Sequence, residues 1–239
     1  MATDSENFRF RFRQFGLNDR RCGMKIGTDA VLLGAWASLP HPAGRIHDAG
    51  AGCGIIGMML AQRFPEAEVC FSEMDEGAFS DLNENVASSP WASRCETFRG
   101  DFTKLRGPFS LIVSNPPFFT EGERAPESAR AAARHAGALS ALTLPDYAAA
   151  NLLPDGVLSM IFPAPLLDAV EEKCAYARLN PLRICTVSPR PGAEPVRVMA
   201  EFSPAPGVRR VTSLTIRDAE GHYTSEYVAL TRDFYLHLH

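Results

Sequence analysis

Apolar and polar positions change period along this chain. From Phe8 to Arg13 they alternate strictly, Phe-Arg-Phe-Arg-Phe-Arg. In a strand that sets three rings on one face and three guanidinium groups on the other. From Arg45 onward, short apolar runs alternate with helical stretches. Arg45–Asp48 predicts a strand entering a Gly-rich turn, Ile55–Arg63 a helix, and Glu68–Ser72 a strand. Asp75–Ala87 predicts a helix with Asp81, Glu84 and Asn85 outward, and Arg94–Arg99 a further strand. Phe109–Ser114 is a continuous apolar run, as expected for a strand covered on both faces. Thr143–Leu153 predicts a helix with Thr143 as N-cap and Pro145 in its first turn. Pro154-Asp155-Gly156 reads as a turn, Val157–Phe162 as a buried strand and Leu166–Arg178 as a helix. This order predicts an α/β fold with a mostly parallel, doubly wound sheet. Leu182–Ser188, Val196–Ser203 and Val211–Arg217 then predict strands with no long helix between them, hence an antiparallel C-terminal edge on the same sheet.

Composition changes this picture little. Of 239 residues, 46% are hydrophobic and 22% charged, which supports one sizeable core and excludes wholesale disorder. The expected division is an N-terminal basic arm with a ligand-proximal segment over 1–44, then one compact unit over 45–239. The first residues carry neither a basic region nor an apolar stretch, so no signal peptide is expected. The longest apolar runs are too short to span a bilayer. Six cysteines without a Cys-x-x-Cys pair predict neither a zinc site nor a disulfide framework, which fits a reducing cytoplasm. A monomer or weak dimer is expected.

Charge is unevenly spread about a net value of −4. Between residues 8 and 25, Arg9, Arg11, Arg13, Arg20, Arg21 and Lys25 face Asp19 alone, while 63–96 is acid-rich. The arm is either an amphipathic edge strand with a solvated Arg face or a phosphate-contacting strip beside an aromatic anchor. Residues 120–138 read as a mobile loop, in which Arg134-His135 is a phosphate contact or a solvated pair.

The first chemical signal is Asp48-Ala-Gly50-Ala-Gly52-Cys-Gly54, between a strand and a helix. Glycines admit unusual φ and close approach of a ligand, and a helix N-terminus offers free N–H groups. A dinucleotide fingerprint would need glycine where Ile55 stands. The pattern instead resembles the first motif of S-adenosylmethionine-dependent methyltransferases; the alternative is a tight turn without a ligand. Glu73 closes the next strand 25 residues after Asp48, where an acid can take both ribose hydroxyls. Asp75 is its neighbour and competitor. Asp101 follows the third strand, where it can accept from an adenine amino group while Phe102 packs the ring. Each of these acids could equally be a solvated loop residue.

The second signal is Asn115-Pro116-Pro117-Phe118, directly after the buried strand. Two prolines lock φ and stop the ladder, which holds the Asn side chain and the Pro116 carbonyl in a rigid bay. Asn115 Oδ1 and that carbonyl can accept both N–H groups of an exocyclic amine and free its lone pair for attack. Phe118 can stack on the base.

Together, Asp48–Gly54 and Asn115–Phe118 resemble amino-group methyltransferases. The segments Phe10–Phe15, Cys22–Asp29, Leu32–Trp36, Met58–Arg63, Ser89–Trp91 and Asp233–Leu236 narrow the resemblance to the bacterial tRNA(1)(Val) adenine N6-methyltransferases, from residue 8 onward. The resemblance implies a Rossmann-like fold, S-adenosylmethionine as cofactor and the adenine beside the valine anticodon as target. It places Lys25–Asp29 against the cofactor, with Thr28 at its methionine end; from the residues alone, Thr28 could equally cap a helix. It implies catalytic roles for Asn115, Pro116 and Phe118, and cofactor contacts from Thr28, Asp48, Gly50, Gly52, Glu73, Asp101, Phe102 and Asn115. RNA contacts are assigned to Arg9, Arg11, Arg13 and Arg134, and no metal is implied. Phe118 stands where that family usually has Tyr, and Asn-Pro-Pro-Phe also occurs in RNA guanine N2-methyltransferases. A protein glutamine N5-methyltransferase and a non-catalytic tRNA-binding protein are the other readings.

Overall fold

The computed structural model describes residues 8–117 and 139–237. Phe118, Arg134 and the stretch 120–138 lie outside them. Among the described residues, eight strands form one sheet, and a two-residue pair, β1 (Phe10–Arg11) and β2 (Gly16–Leu17), stands apart. The sheet comprises β3 (Arg45–Ala49), β4 (Glu68–Glu73), β5 (Cys95–Arg99), β6 (Phe109–Ser114), β7 (Leu152–Pro163), β8 (Asn180–Ser188), β9 (Arg197–Ser203) and β10 (Arg210–Thr215). Its order is β10-β8-β9-β7-β6-β3-β4-β5. The pairs among β5, β4, β3, β6 and β7 are all parallel. The antiparallel pairing expected near the C-terminus is carried by β9, which runs against both β7 and β8. The outermost β10 is parallel to β8 again.

Helices cover both faces. On one side α1 (Thr28–Trp36), α2 (Ile55–Arg63), α3 (Glu76–Ser88) and α6 (Ser225–Thr231) pack with the arm into a core that holds Phe12, Leu33, Met59, Phe71, Tyr227 and Phe234. On the other side α4 (Leu144–Asn151) and α5 (Leu167–Tyr176) cover Phe109, Ile112, Met160 and Phe202. Every residue of β6 is buried, as its unbroken apolar run requires. Ile55–Ala61 of α2 are all buried too, so this helix shows no polar stripe. No helix among the described residues is long and apolar enough to cross a membrane.

Several local expectations are corrected. Pro154-Asp155-Gly156 is not a turn before a strand. It lies inside β7 as a bulge, where pairing jumps from Phe109↔Leu152 to Leu111↔Val157. Thr143 precedes α4 and Pro145 lies in its first turn, but the Thr143 hydroxyl accepts from Ser140 N instead of capping the helix. Gly27, not Thr28, is the N-cap of α1, and Thr28 is its first residue. Asp81 and Asn85 do not face solvent. Both are buried, because that face of α3 binds the arm.

Candidate functional site

The carboxyl ends of β6, β3, β4 and β5 lie side by side in that order. They deliver Asn115, the Gly-rich turn, Glu73 and Asp101 in sequence along one edge. Three strand spacings put the first and last about 14 Å apart, the span of an extended nucleoside with a side arm.

The Gly-rich turn is fixed mostly by β4. Gly50 N and Ala51 N both donate to Ser72 O at 3.0 Å, and Gly52 N donates to Glu73 Oε2 at 2.8 Å. The other Glu73 oxygen accepts Asp75 N at 2.8 Å. Gly50 and Gly52 have φ of 71° and 57°, a region that disfavours side chains. Their surroundings differ. A Cβ on Gly50 would lie 2.1 Å from Leu139 Cδ2, whereas one on Gly52 would meet nothing within 4 Å. The Gly52 backbone is thus open to a ligand and the Gly50 backbone is covered.

Asp48 lies beneath this turn and is fully buried. Its Oδ2 accepts Gly57 N, in the first turn of α2, at 2.8 Å, and its Oδ1 has no partner among the described residues. Burial pushes the carboxyl up to about 7; the Gly57 N–H opposes this and the Glu73 charge adds to it. Asp48 therefore seats the helix that follows the turn and keeps one acceptor unspent.

Asn115 leaves β6 beside the turn, since Ser114 Oγ donates to Ala49 O at 2.7 Å. Asn115 Oδ1 is out of contact with solvent and has no hydrogen-bond partner among the described residues. Pro116 behind it is buried. A buried amide oxygen without a donor is costly unless a ligand supplies one, which makes it the strongest single pointer in the site.

Asp101 Oδ1 accepts from both Thr103 N (2.9 Å) and Thr103 Oγ1 (2.8 Å), which closes the short turn Phe102–Lys104. Phe102 is buried, its ring edge-on to Tyr147 at 5.1 Å between centroids. It can wall the site but presents little surface to stack on. Thr28 stands over the opposite flank, where its neighbour Asp29 pairs with Arg197 at the start of β9, Oδ2 to Nε 2.7 Å.

The arm shows the expected alternation: Arg9, Arg11 and Arg13 are exposed, while Phe12 is buried and Phe8 and Phe10 half-buried. Phe12 bridges to Tyr235, and Arg13 N donates to Phe234 O at 2.8 Å. Part of its charge is spent internally. Arg9 pairs with Asp19 at 3.2 Å and Arg13 Nε donates to Tyr235 O at 2.8 Å. Lys25 Nζ donates to the carbonyls of Asp19, Arg20 and Cys22. Phe118 and Arg134 belong to the residues outside the description.

Four residues that shape this site carry no motif. Ser72 acts through its backbone carbonyl and Leu139 through shape. Asp81 and Asn85 act by holding backbone: Asn85 Nδ2 donates to both Asn18 O (2.8 Å) and Cys53 O (2.9 Å), joining the arm to the turn. Their i, i+4 spacing on α3 is the one sequence signal they give, and it reads as a solvated face as easily as a binding face.

Residues 25–142 match the methyltransferase small domain family model. A tRNA1(Val) (adenine(37)-N6)-methyltransferase of Bacteroides thetaiotaomicron is 38% identical over 232 residues, covering 96% of this chain and 98% of its own. The protein of the same name from Erwinia tasmaniensis is 40% identical, covering 95% and 94%. Among solved structures, a predicted O-methyltransferase from Agrobacterium tumefaciens superposes with a TM-score of 0.69 at 23% identity, over 86% of this chain and 96% of that one.

Proposed function

The chain belongs to the tRNA1(Val) (adenine(37)-N6)-methyltransferase family, and on that premise we propose that it methylates N6 of the adenine beside the tRNA1(Val) anticodon, in the cytoplasm, with Asn115 holding the amine. The observation that carries this is the buried Asn115 Oδ1, without a partner among the described residues, next to a glycine turn with an open backbone face.

S-adenosylmethionine, the cofactor, supplies the methyl group on its sulfonium. The residues present fit it. The Gly50–Gly52 turn lets its chain approach the backbone at Gly52. Glu73 has lone pairs left on both oxygens for ribose hydroxyls, and Asp101 stands at the adenine end.

Asn115 Oδ1 and the Pro116 carbonyl accept the two N–H groups of the target amine. That draws its lone pair out of conjugation with the ring and aims it at the methyl. Pro116 and Pro117 keep the two acceptors from rotating away, and most of the rate comes from this positioning. An amide has no basic site at neutral pH, so Asn115 is not a general base and the surplus proton leaves to water. Phe118 stacks on the base, and the exposed guanidinium groups of Arg9, Arg11 and Arg13, with Arg134, meet the phosphate backbone.

The test is a methyl-transfer assay with labelled S-adenosylmethionine and unmodified bacterial tRNA, read by nucleoside mass spectrometry. Labelled N6-methyladenosine next to the tRNA1(Val) anticodon is the expected product. Labelled N2-methylguanosine moves the target base, and absence of label in RNA overturns the proposal.

A further inference from the structure

His47 lies on β3 directly before Asp48, fully buried. Its Nε2 is 2.8 Å from Ser72 Oγ and its Nδ1 is 2.9 Å from the Tyr147 hydroxyl. The Tyr147 hydroxyl also donates to Leu105 O at 3.0 Å. With that proton spent on Leu105, Nδ1–H donates to Tyr147 and Nε2 accepts from the Ser72 hydroxyl, so the polar side-chain atoms of His47, Ser72 and Tyr147 are all paired. The ring is held from its sides as well, with Phe109 at 5.0 Å and Tyr147 at 5.6 Å between centroids. Burial keeps the imidazole neutral, so this pattern is stable across physiological pH.

What lies at the two ends gives the network its meaning. Ser72 presents its carbonyl to Gly50 N and Ala51 N, and its successor Glu73 holds Gly52 N. At the other end, Leu105 N donates to Phe102 O at 3.2 Å, closing the turn that follows Asp101, and Phe102 packs edge-on against Tyr147. One histidine thus spans the strand end that fixes the glycine turn and the helix that fixes the Asp101-Phe102 turn. These turns flank the proposed S-adenosylmethionine site, from its methionine end to its adenine end.

We propose that His47 is a positioning residue for cofactor binding, acting through Ser72 and Tyr147 to hold the two cofactor turns at a fixed separation. The proposal rests on the methyltransferase reading above. It requires that the effect appear in affinity for the cofactor and not in affinity for RNA, because the arm and the Asn115 bay do not depend on this chain of bonds.

The experiment is calorimetric titration of S-adenosylmethionine into the wild-type protein and the variants H47L, H47Q and Y147F, with tRNA affinity and unliganded thermal unfolding measured alongside. Y147F removes one oxygen and keeps the packing, so it reports even where H47L folds poorly. Losing these buried bonds is expected to weaken cofactor binding roughly tenfold in H47L and roughly threefold to tenfold in Y147F, at unchanged tRNA affinity. H47Q can still bond Ser72 and is expected to recover part of the loss. Cofactor affinity within twofold of wild type in both H47L and Y147F overturns the proposal, whatever happens to the melting temperature. A loss of tRNA affinity as large as the loss of cofactor affinity overturns it also. Wild-type protein that binds no S-adenosylmethionine overturns both this inference and the methyltransferase reading.

Discussion

Asp81, fully buried on α3, accepts Arg21 N and Arg21 Nε at 2.7 Å each and Cys22 N at 3.2 Å. Burial alone would raise this carboxyl, but the Arg21 donors outweigh it and hold it below its ordinary value. Asp81→Ala leaves those donors unpaired and is expected to destabilise the protein by about 2–3 kcal/mol, towards the low end because the Arg21 guanidinium is half exposed. Since the folded carboxyl titrates below its ordinary 3.8, the contribution is complete above that pH and is lost as pH falls further. Urea unfolding at pH 7 measures the first effect. Tryptic cleavage after Arg20 or Arg21, fast in the variant and slow in wild type, shows whether the arm has come off α3.

That contact also shows where the sequence is legible. Element type was readable wherever one period held over a full element. α2 (Ile55–Arg63) and β6 (Phe109–Ser114) fall on their expected boundaries because Gly54 and Asn115-Pro116 stop them sharply. The placement of Asp48, Glu73, Asp101 and Asn115 at strand ends is legible because each stands where an apolar run stops: Asp48 and Glu73 within the last two residues of β3 and β4, Asn115 directly after β6 and Asp101 two residues after β5. The i, i+4 spacing of Asp81 and Asn85 predicts an outward face, because polar residues so placed on a helix mostly meet water. Here they meet unpaired backbone from a segment some sixty residues away, which local pattern does not encode. Leu139 was invisible for a related reason, since its role is to fill the space a Cβ on Gly50 would need. α6 leaves no readable pattern, because seven residues give too little periodicity.

Gly50 and Gly52 should respond differently to alanine. Both pay backbone strain of roughly 1–2 kcal/mol for a side chain at positive φ. Gly50→Ala also drives its Cβ into Leu139, so a loss of stability well beyond that strain is expected. Gly52→Ala places its methyl where no described protein atom lies within 4 Å, in the space proposed for the cofactor. Its melting temperature should fall modestly while S-adenosylmethionine affinity drops by tenfold or more. Equal cofactor affinity in Gly52→Ala and wild type would place the ligand elsewhere.

Asp48 predicts a pH dependence of opposite sign to Asp81. Its carboxyl is raised to about 7 in the fold, against an ordinary 3.8. Between those values the folded protein keeps a proton that the unfolded chain has released, so this residue makes stability fall as pH rises through that window. Asp48→Asn cannot ionise and can still accept Gly57 N–H. The stability of the variant relative to wild type should therefore climb between pH 4 and 7 and level off above, by an amount on the order of a few kcal/mol. Parallel unfolding curves across that range would mean that Asp48 is ionised throughout.

The RNA contacts proposed for the arm can be tested apart from its packing. Arg9, Arg11 and Arg13 are exposed, while the aromatic face of the same segment does the packing. Changing all three to Ala should lower tRNA affinity about equally for all tRNA sequences. It should also flatten the dependence of log affinity on log salt by roughly one to three units, fewer than three because Arg9 and Arg13 already hold internal partners. An unchanged salt slope would make the arm purely structural.

Asn115 should separate chemistry from binding most cleanly. Its Oδ1 bonds to nothing within the described protein, so Asn115→Ala removes no internal hydrogen bond of that atom and should leave the melting temperature close to wild type. Gly52, Glu73 and Asp101, proposed to hold the cofactor, stand at the ends of β3, β4 and β5 and are untouched by this substitution, so cofactor affinity should stay within a few-fold. Methyl transfer depends on two acceptors acting together on one amine, and Pro116 alone leaves that nitrogen conjugated and free to swing. Loss of one preorganised partner of this kind lowers turnover by roughly 10²–10³-fold. Single-turnover transfer from saturating S-adenosylmethionine to saturating tRNA measures this without interference from product release. Asn115→Asp is the informative companion: it keeps the acceptor and adds a charge. If Oδ1 acts only by accepting an N–H, Asp should outperform Ala. If both variants turn over at the wild-type rate, the amine is not held by Asn115.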